Sequence, residues 1–152
     1  MLIGVISDTH GLLRPEALAA LRGVEHILHA GDVGDVAILD ALRETAPVTA
    51  IRGNVDVSGV CAELPATDVV ELGGQLFYLV HSVHDLDINP KAAGVAIVVS
   101  GHSHKSSVTV KDGVVYFNPG SAGPRRFSLP ITVGFVTVED GVEATVRELV
   151  VG

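Results

Sequence analysis

The feature that most constrains this 152-residue chain is a series of short, continuously apolar segments. The first, Leu2–Ser7, has the uninterrupted apolar pattern of a β-strand that is covered on both faces. In the first third of the chain, three such strands alternate with two helices. The predicted strands are Leu2–Ser7, Glu25–His29 and Pro47–Ile51, and the predicted helices are Pro15–Arg22 and Val36–Glu44. This alternating order predicts a parallel sheet with right-handed crossovers.

The remainder of the chain consists mostly of strands joined by two-residue turns. Gly73-Gly74, Asp112-Gly113 and Asp140-Gly141 each separate two β-patterned segments, as in a β-hairpin. The hairpin strands are predicted at 68–72 and 75–81, 107–111 and 114–118, and 131–139 and 142–151, with a further buried strand at 96–100. We therefore predict an α/β fold in one domain over residues 1–152. Its two packed β-sheets would combine a parallel core with antiparallel hairpins and be flanked by helices.

Side chains that can bind metal ions follow directly after five of the predicted strands. Ligands bind at the carboxyl ends of strands in open α/β sheets, so these segments should converge on one rim. The seven candidates are Asp8, His10, Asp32, Asn54, His81, His102 and His104. Two carboxylates, four imidazoles and one amide, without a thiolate, suit Mn, Fe, Co, Ni or Zn better than Ca or Mg. Seven ligands are too many for one zinc-like ion and predict two divalent ions that share a carboxylate.

The net charge of −8 restricts the partners of such a site. The only basic cluster of the chain is Arg125–Arg126, and the chain contains no Trp. We therefore expect neither a basic stripe nor a base-stacking surface for extended nucleic acid. The positive charge of two divalent ions would exceed the negative charge of two carboxylates and one bridging hydroxide, so the site would keep a net positive charge. The predicted site would therefore attract an anion such as phosphate despite the acidic composition of the chain.

Three further observations bear on the location of the protein. No apolar run reaches the length of about 18 residues that a membrane span requires. Residues 1–11 do not have the pattern of a secretory signal, and the single Cys61 excludes an internal disulfide. We therefore expect a cytoplasmic protein without a membrane partner. The sequence contains no readable interface and leaves homo-oligomerisation open.

The motifs at the strand ends resemble those of the calcineurin-like metallophosphoesterase superfamily, in particular its small bacterial and archaeal members. In family order they are Asp8-Thr9-His10-Gly11, Gly31-Asp32, Gly53-Asn54, His81, Gly101-His102-Ser103-His104 and Asn118-Pro119-Gly120-Ser121. The resemblance implies an αββα sandwich. It also implies that one ion binds Asp8, His10, Asp32 and His104. The other would bind Asp32, Asn54, His81 and His102, so that Asp32 bridges the two.

The resemblance further implies hydrolysis of a phosphodiester or phosphomonoester by a hydroxide that bridges the two ions. Mn is the first expectation for the metal, with Fe, Ni, Co and Zn as alternatives. The candidate catalytic residues are Asp32, Asn54 and His81, which would surround this hydroxide, and Asp56. Many family members have a proton-donating His directly after the Asn, whereas this chain has Val55, which cannot transfer a proton. A metal-bound water, Asp56 or His84 therefore remain as candidate general acids.

Two other functions remain open at this stage. The first is a non-catalytic protein-interaction scaffold of the same fold; the presence of all seven ligand positions argues against it. The second is a nuclease or a cyclic-nucleotide phosphodiesterase, of which the acidic composition disfavours only a processive nuclease. The segment Ser82–Gly94 is shorter than in larger family members, which predicts a more open substrate pocket. The motif that begins at Asn118 is predicted to form a turn behind the site.

Overall fold

The computed structural model describes residues 1–151, which form ten β-strands and two α-helices. The strands are β1 Leu2–Ile6, β2 His26–His29, β3 Val48–Ala50, β4 Thr67–Leu72, β5 Gln75–Val80, β6 Val95–Val99, β7 Ser107–Lys111, β8 Val114–Asn118, β9 Thr132–Val138 and β10 Val142–Glu148. The helices are α1 Pro15–Ala20 and α2 Val36–Arg43. Each predicted strand and helix is present, with ends that differ by a few residues. No helix in residues 1–151 is long and apolar enough to span a membrane.

The first sheet has the strand order β10-β9-β1-β2-β3. Strands β1, β2 and β3 are parallel, as the alternation of strands and helices predicted. The hairpin β9–β10 adds two antiparallel strands beside β1. As a result, β1 lies in the middle of the sheet, and its carboxyl end leads directly to Asp8.

The second sheet has the order β4-β5-β6-β8-β7 and the same mixed character. Strands β5, β6 and β8 are parallel to one another, while β4 and β7 are antiparallel neighbours at the two edges. The predicted turn residues Gly73, Gly74, Asp112 and Gly113 all have positive φ angles, as a tight hairpin turn requires. The two-sheet α/β fold class is thereby confirmed.

The core consists of two apolar layers that share the first sheet. Ile3 and Val5 of β1 point towards the second sheet and pack with Phe77, Leu79 and other buried side chains. The alternate side of the same sheet, including Ile6, packs against both helices. Because successive strand residues point to opposite faces, a continuously apolar strand serves both layers. The two sheets therefore share one apolar layer, and the single domain over residues 1–152 remains a prediction.

The outer face of the second sheet is covered differently. A small cluster that includes Tyr78, Val80 and Val98 packs there against Leu86 and Ile88 of the segment 82–94. Within residues 1–151 this segment contributes only a 3₁₀ turn, and both α-helices lie on the first sheet. The second helical layer of the expected αββα sandwich is therefore reduced to one short segment. The part of this face that it does not cover is open.

The two sheets approach each other closely next to the strand ends. Gly134 of β9 faces the fully buried ring of Phe117 in β8, and a Cβ atom at residue 134 would meet the Cζ and Cε2 atoms of this ring. Pro119 lies on the other side of the same position. The glycine is thus required by the contact between the sheets.

We expect Gly134→Ala to lower the free energy of unfolding by about 1–3 kcal/mol, because an added methyl group overpacks the layer between the sheets. Urea unfolding of the variant measures this loss. The double variant Gly134→Ala/Phe117→Leu should be more stable than the sum of its single substitutions predicts, since the smaller side chain makes room for the methyl group. Strictly additive losses would contradict the proposed contact.

Candidate metal centre

The candidate ligands lie on loops that follow strands of both sheets, and backbone hydrogen bonds tie these loops together. The N–H of Asp8 donates to the carbonyl of Gly31 (3.0 Å), and the N–H of His10 donates to the carbonyl of Asp32 (2.9 Å). In the second sheet, the N–H of Gly101 donates to the carbonyl of His81 (2.9 Å). The strand ends of the two sheets therefore meet at one rim.

Six of the seven predicted ligands form two adjoining groups. Asp8, His10 and His104 offer three ligand atoms that lie within 4.8 Å of one another. Asp32, His81 and His102 offer three more within the same limit. Each group combines one carboxylate with two imidazoles, a donor set suited to borderline divalent metals.

Asp32 lies between the two groups. Its Oδ2 atom is 3.1 Å from Nε2 of His81 and 3.5 Å from Nε2 of His10, which belong to different groups. The Oδ1 atom of Asp8 lies 3.4 Å from Nε2 of His104 and 3.8 Å from Nε2 of His81. Both carboxylates therefore have an oxygen within 4.0 Å of imidazoles of the two groups, and the distances are shorter for Asp32. This geometry is compatible with the predicted bridging position of Asp32.

The backbone is unusual at these residues. Five of the predicted ligands have left-handed φ angles: Asp8 (57°), His10 (47°), Asp32 (55°), His102 (71°) and His104 (63°). Residues other than glycine rarely adopt this region, and each instance costs on the order of 1–3 kcal/mol. Such strain persists only where the surroundings hold it, and it gathers at functional sites. Here it turns the side chains of successive loops towards a common centre.

The donor atoms fit a cation. Asp8 is fully buried, and its Oδ2 atom accepts hydrogen bonds from the Ser7 hydroxyl (2.7 Å) and from the N–H of His102 (3.0 Å). The Oδ1 atom of the same carboxylate is buried without a hydrogen-bond partner. A buried carboxylate oxygen without a donor is costly. A metal ion bound beside the neighbouring imidazole nitrogens would satisfy it.

The orientation of His81 supports the same conclusion. Its Nδ1 atom lies 2.7 Å from the carbonyl oxygen of Ala30, which can only accept a hydrogen bond, so Nδ1 carries the proton. Nε2 then faces Oδ2 of Asp32 (3.1 Å), and in the neutral form of the ring its lone pair would be available to a metal ion held there. Imidazoles that bind metals are commonly fixed by such a hydrogen bond from the other ring nitrogen.

Glycines in three of the motifs allow the loops to pack directly against the ligands. A Cβ atom at Gly31 would lie 2.6 Å from Nδ1 of His81, and one at Gly101 would lie 2.6 Å from Oδ2 of Asp8. At Gly53 it would meet the Oδ1 atom of Asp32. Each of these glycines is therefore needed because a ligand side chain occupies the space of a Cβ atom.

The two carboxylates differ in their electrostatic surroundings. Burial raises the pKa of Asp8 above its usual value, and this effect outweighs the Ser7 hydrogen bond and the nearby imidazoles. Burial also acts to raise the pKa of Asp32, but bonds from His81 and the Val55 N–H outweigh it and hold the pKa well below its usual value. Burial lowers the pKa of His104. For His81 the effect of burial is outweighed by Asp32, so its pKa is raised.

Asn54 is an exposed turn residue between two residues that contact Asp32. The N–H of Val55 donates to Oδ1 of Asp32 (3.0 Å), and Gly53 packs against the same carboxylate. The turn thus holds Asn54 next to the bridging residue. Its binding to a metal ion remains a prediction.

Asp56 occupies a different position from the one expected of a general acid. It is only 3% exposed, and its carboxylate accepts hydrogen bonds from the N–H groups of Val33 (3.1 Å), Gly34 (3.0 Å) and Gly53 (2.9 Å). Both oxygens therefore face N–H donors, and a proton on either would oppose one of them. We correct the sequence-based expectation accordingly: Asp56 positions the loops after β2 and β3 and is not suited to donate a proton.

A buried chain of hydrogen bonds through His29 and Thr9 supports the ligand loops, and the sequence suggested such a role only for His29, beside the Gly31-Asp32 turn. The N–H of Gly31 donates to Nδ1 of His29 (3.1 Å), so Nε2 carries the proton and donates to the Thr9 hydroxyl (3.0 Å). Thr9 in turn donates to the carbonyl of Val33 (2.9 Å). This buried chain holds the loop with Asp8 and His10 against the loop with Asp32. A polar residue next to a ligand is the only sequence signal for Thr9.

The predicted turn behind the site is present. The side-chain amide of Asn118 donates to the carbonyl of Gly101 (2.9 Å) and to the hydroxyl of Ser103 (3.1 Å), and its Oδ1 atom accepts from the N–H of Gly120 (2.9 Å). The hydroxyl of Ser121 donates to the carbonyl of Asp8 (3.1 Å). The turn therefore supports the His102–His104 loop and Asp8 from below.

We compared the chain with known protein families and relatives, and the matches point to one family. Residues 1–141 match the family model described as the calcineurin-like phosphoesterase superfamily domain. A probable metallophosphoesterase of Methanocaldococcus jannaschii is 34% identical over 157 residues, which cover 95% of this chain and 79% of the relative.

Two solved structures share the fold. An archaeal phosphodiesterase superimposes with a TM-score of 0.79 at 24% identity, over 97% of this chain and all of the other (100%). Vps29 from Entamoeba histolytica in complex with Zn²⁺ gives a TM-score of 0.75 at 22% identity, over 97% and 99% of the two chains. At these identities the similarity establishes the fold alone.

Removing the carboxylate of Asp56 should destabilise the protein. We expect Asp56→Ala to lower the free energy of unfolding by about 3 kcal/mol, because three buried or half-buried N–H groups lose a charged acceptor. Asp56→Asn, which keeps one acceptor oxygen, should lose less. Urea unfolding of both variants measures the difference. Equal stability of Asp56→Ala and the unmodified protein would contradict the positioning role.

His29 should make stability depend on pH. Burial lowers its pKa from 6.5 to about 4, so the unfolded chain binds a proton at a higher pH than the folded protein does. The contribution to stability is complete above pH 6.5 and decreases as the pH falls towards 4, by about 3 kcal/mol in total. The free energy of unfolding measured between these two pH values should therefore fall less steeply in His29→Gln. Parallel curves would show that His29 is not the responsible group.

Proposed function

The chain belongs to the calcineurin-like phosphoesterase superfamily, and from this we propose that it hydrolyses phosphoester bonds of a small organic phosphate with two divalent metal ions. The observation that carries the proposal is the pair of adjoining groups, Asp8/His10/His104 and Asp32/His81/His102, with Asp32 between them. Mn is the metal we expect first. Asn54 is proposed as a further ligand beside Asp32.

The bound cations would lower the pKa of a water molecule and neutralise charge on the phosphoryl oxygens. The residues of the chain prepare the site for this chemistry. Asp8 is held by Ser7 and the His102 N–H, and His81 is held by the Ala30 carbonyl, so both direct their remaining atoms to the centre. The acidic surface of the chain, with a net charge of −8, would otherwise repel a phosphate.

Many family members have a proton-donating His directly after the Asn, and this chain must protonate the leaving group in another way. Val55 is apolar and half exposed at the position after Asn54, and Asp56 faces N–H donors. Neither residue offers a proton to the substrate. We therefore propose that the enzyme works best on esters whose leaving group needs little protonation, and that a metal-bound water or His84, on the 3₁₀ turn Val83–Asp85, supplies the proton for others.

A scaffold function is the second candidate, since Vps29 shares the fold. Because that Vps29 was solved with Zn²⁺, metal binding alone does not separate the two candidates. A measurement of phosphoester hydrolysis does separate the enzyme from the scaffold. Cyclic nucleotides belong in the substrate panel as the remaining alternative, whereas the acidic composition disfavours extended nucleic acid.

We expect the protein to hydrolyse bis-p-nitrophenyl phosphate with Mn²⁺ and to lose this activity in the presence of EDTA. Asp32→Asn should lower kcat/KM about 100- to 1,000-fold and reduce the content of both metal ions, because the bridging carboxylate holds each of them. His104→Ala should reduce mainly one ion. His26→Asn, a half-buried residue bonded to Thr49, is the matched control and should change neither quantity.

Elemental analysis and release of nitrophenol measure the two results. Unchanged metal content in Asp32→Asn would contradict the bridging role. No hydrolysis of any panel substrate with Mn, Ni, Co or Fe would overturn the enzymatic proposal and favour the scaffold.

A further inference from the structure

A groove of about 610 Å³ lies next to the metal centre, on the outer face of the second sheet. One wall is the 3₁₀ turn after β5, with Ser82, Val83 and Leu86. The floor is the outer face of the β7–β8 hairpin. Its volume is in the range of small-molecule binding sites, which is about 300–1,000 Å³.

The groove exists because the segment 82–94 is short and leaves this part of the sheet uncovered. Strand alternation places Ser107, Thr109 and Lys111 of β7 on the groove side. Val108 and Val110 point to the opposite face. The distance along the strand from Ser107 to Lys111 is about 13 Å, at roughly 3.3 Å per residue.

The upper end of the groove opens at the metal centre. His102, a member of one ligand group, also lines the groove together with Ser103. Asn118, which pairs with Ser107 across the hairpin, fixes Ser103 by a hydrogen bond from its amide. A phosphoryl group held at the centre would therefore have one of its ester arms directed towards Ser107.

The chemistry of the lining is unlike the rest of the surface. In a protein with 18 acidic and 10 basic residues, none of the described residues that line this groove is Asp or Glu. The lining combines the hydroxyl groups of Ser103, Ser107 and Thr109 with the imidazole of His84 and with apolar side chains such as Leu86. At the far end, Lys111 has no carboxylate within 4.0 Å among residues 1–151.

We propose that this groove binds one ester arm of a phosphodiester substrate, an extended hydroxylated chain that carries an anionic group near Lys111. The inference rests on the proposed function, because the metal centre must hold the phosphoryl group at the upper end. The length of the groove selects the arm, the hydroxyl groups bind its polar atoms, and the ammonium group of Lys111 binds the terminal anion. A phosphomonoester has only one ester arm, its leaving group, and so lacks the second arm that a diester would place in the groove.

The test uses methyl(alkyl)phosphinates, in which both ester bonds are replaced by P–C bonds that water cannot cleave, bound to the Mn²⁺-loaded protein and measured by calorimetry. One probe has a methyl arm, and three have an octyl arm that ends in a carboxylate, a hydroxyl or a trimethylammonium group. The unmodified protein should bind the carboxylate probe about two- to fivefold more tightly than the trimethylammonium probe, as expected for one partly exposed ion pair.

Two substitutions, each with a matched control, locate the effect. Lys111→Glu should reverse the order of the charged probes, while Lys91→Glu, an exposed residue outside the groove, should preserve it. Thr109→Trp should fill the groove and weaken binding of every octyl probe about tenfold, an effect of about 1.4 kcal/mol, without affecting the methyl probe. Val110→Trp, on the other face of the same strand, should leave all four affinities unchanged.

The result separates this inference from the proposed function. Equal affinities of the charged octyl probes, or equal effects of Thr109→Trp and Val110→Trp, would overturn the groove assignment even if the protein hydrolyses diesters. Conversely, arm-dependent binding would support the groove even if methyl p-nitrophenyl phosphate were not hydrolysed. In that case the failure would lie with the proposed catalysis.

Discussion

The buried carboxylate of Asp8 is the group on which the arrangement of the site depends. Its oxygens and backbone connect four parts of the chain: Ser7 at the end of β1, Gly31 after β2, His102 after β6 and Ser121 after β8. A charged group without contact to water is tolerated only when its surroundings satisfy it. Here one oxygen is satisfied by the protein and the other is not. The fold thus leaves Oδ1 of Asp8 without a hydrogen-bond partner, and Nε2 of His81 nearby is unpartnered as well. A cation bound between them would satisfy both atoms.

The backbone around Asp8 is strained. Five ligand residues adopt left-handed φ angles, and the free energy of the rest of the fold must offset this cost. The offset comes from the two apolar layers of the core and from buried acceptors such as Asp56, which hold the loops from outside the cluster. A ligand that binds only the folded protein adds to stability. Metal binding and folding should therefore be coupled at this site.

The sequence predicted the elements whose signals are local. Continuous apolar runs gave the strands, two-residue turns gave the hairpins, and the position of polar residues after strands brought six of the seven ligand candidates to one place. The role of Asp56 was not accessible in this way. Its three N–H donors come from two loops that are distant in sequence, and a single Asp after Val55 is compatible with an ordinary turn. His29 presents the same difficulty, since its tautomer is determined by Gly31 and Thr9.

The shortness of the segment 82–94 connects the fold to the choice of substrate. The metal ligands come from loops of both sheets, so their positions depend on the core that the sheets share. The groove beside them is formed by one sheet and one covering segment only. Changes in the length of that segment or in the outward side chains of β7 alter the groove without touching the residues that hold the ligands. If the proposed function and the proposed groove are correct, the two-sheet architecture separates the chemistry, which requires fixed geometry, from the recognition of the organic part of the substrate, which can vary.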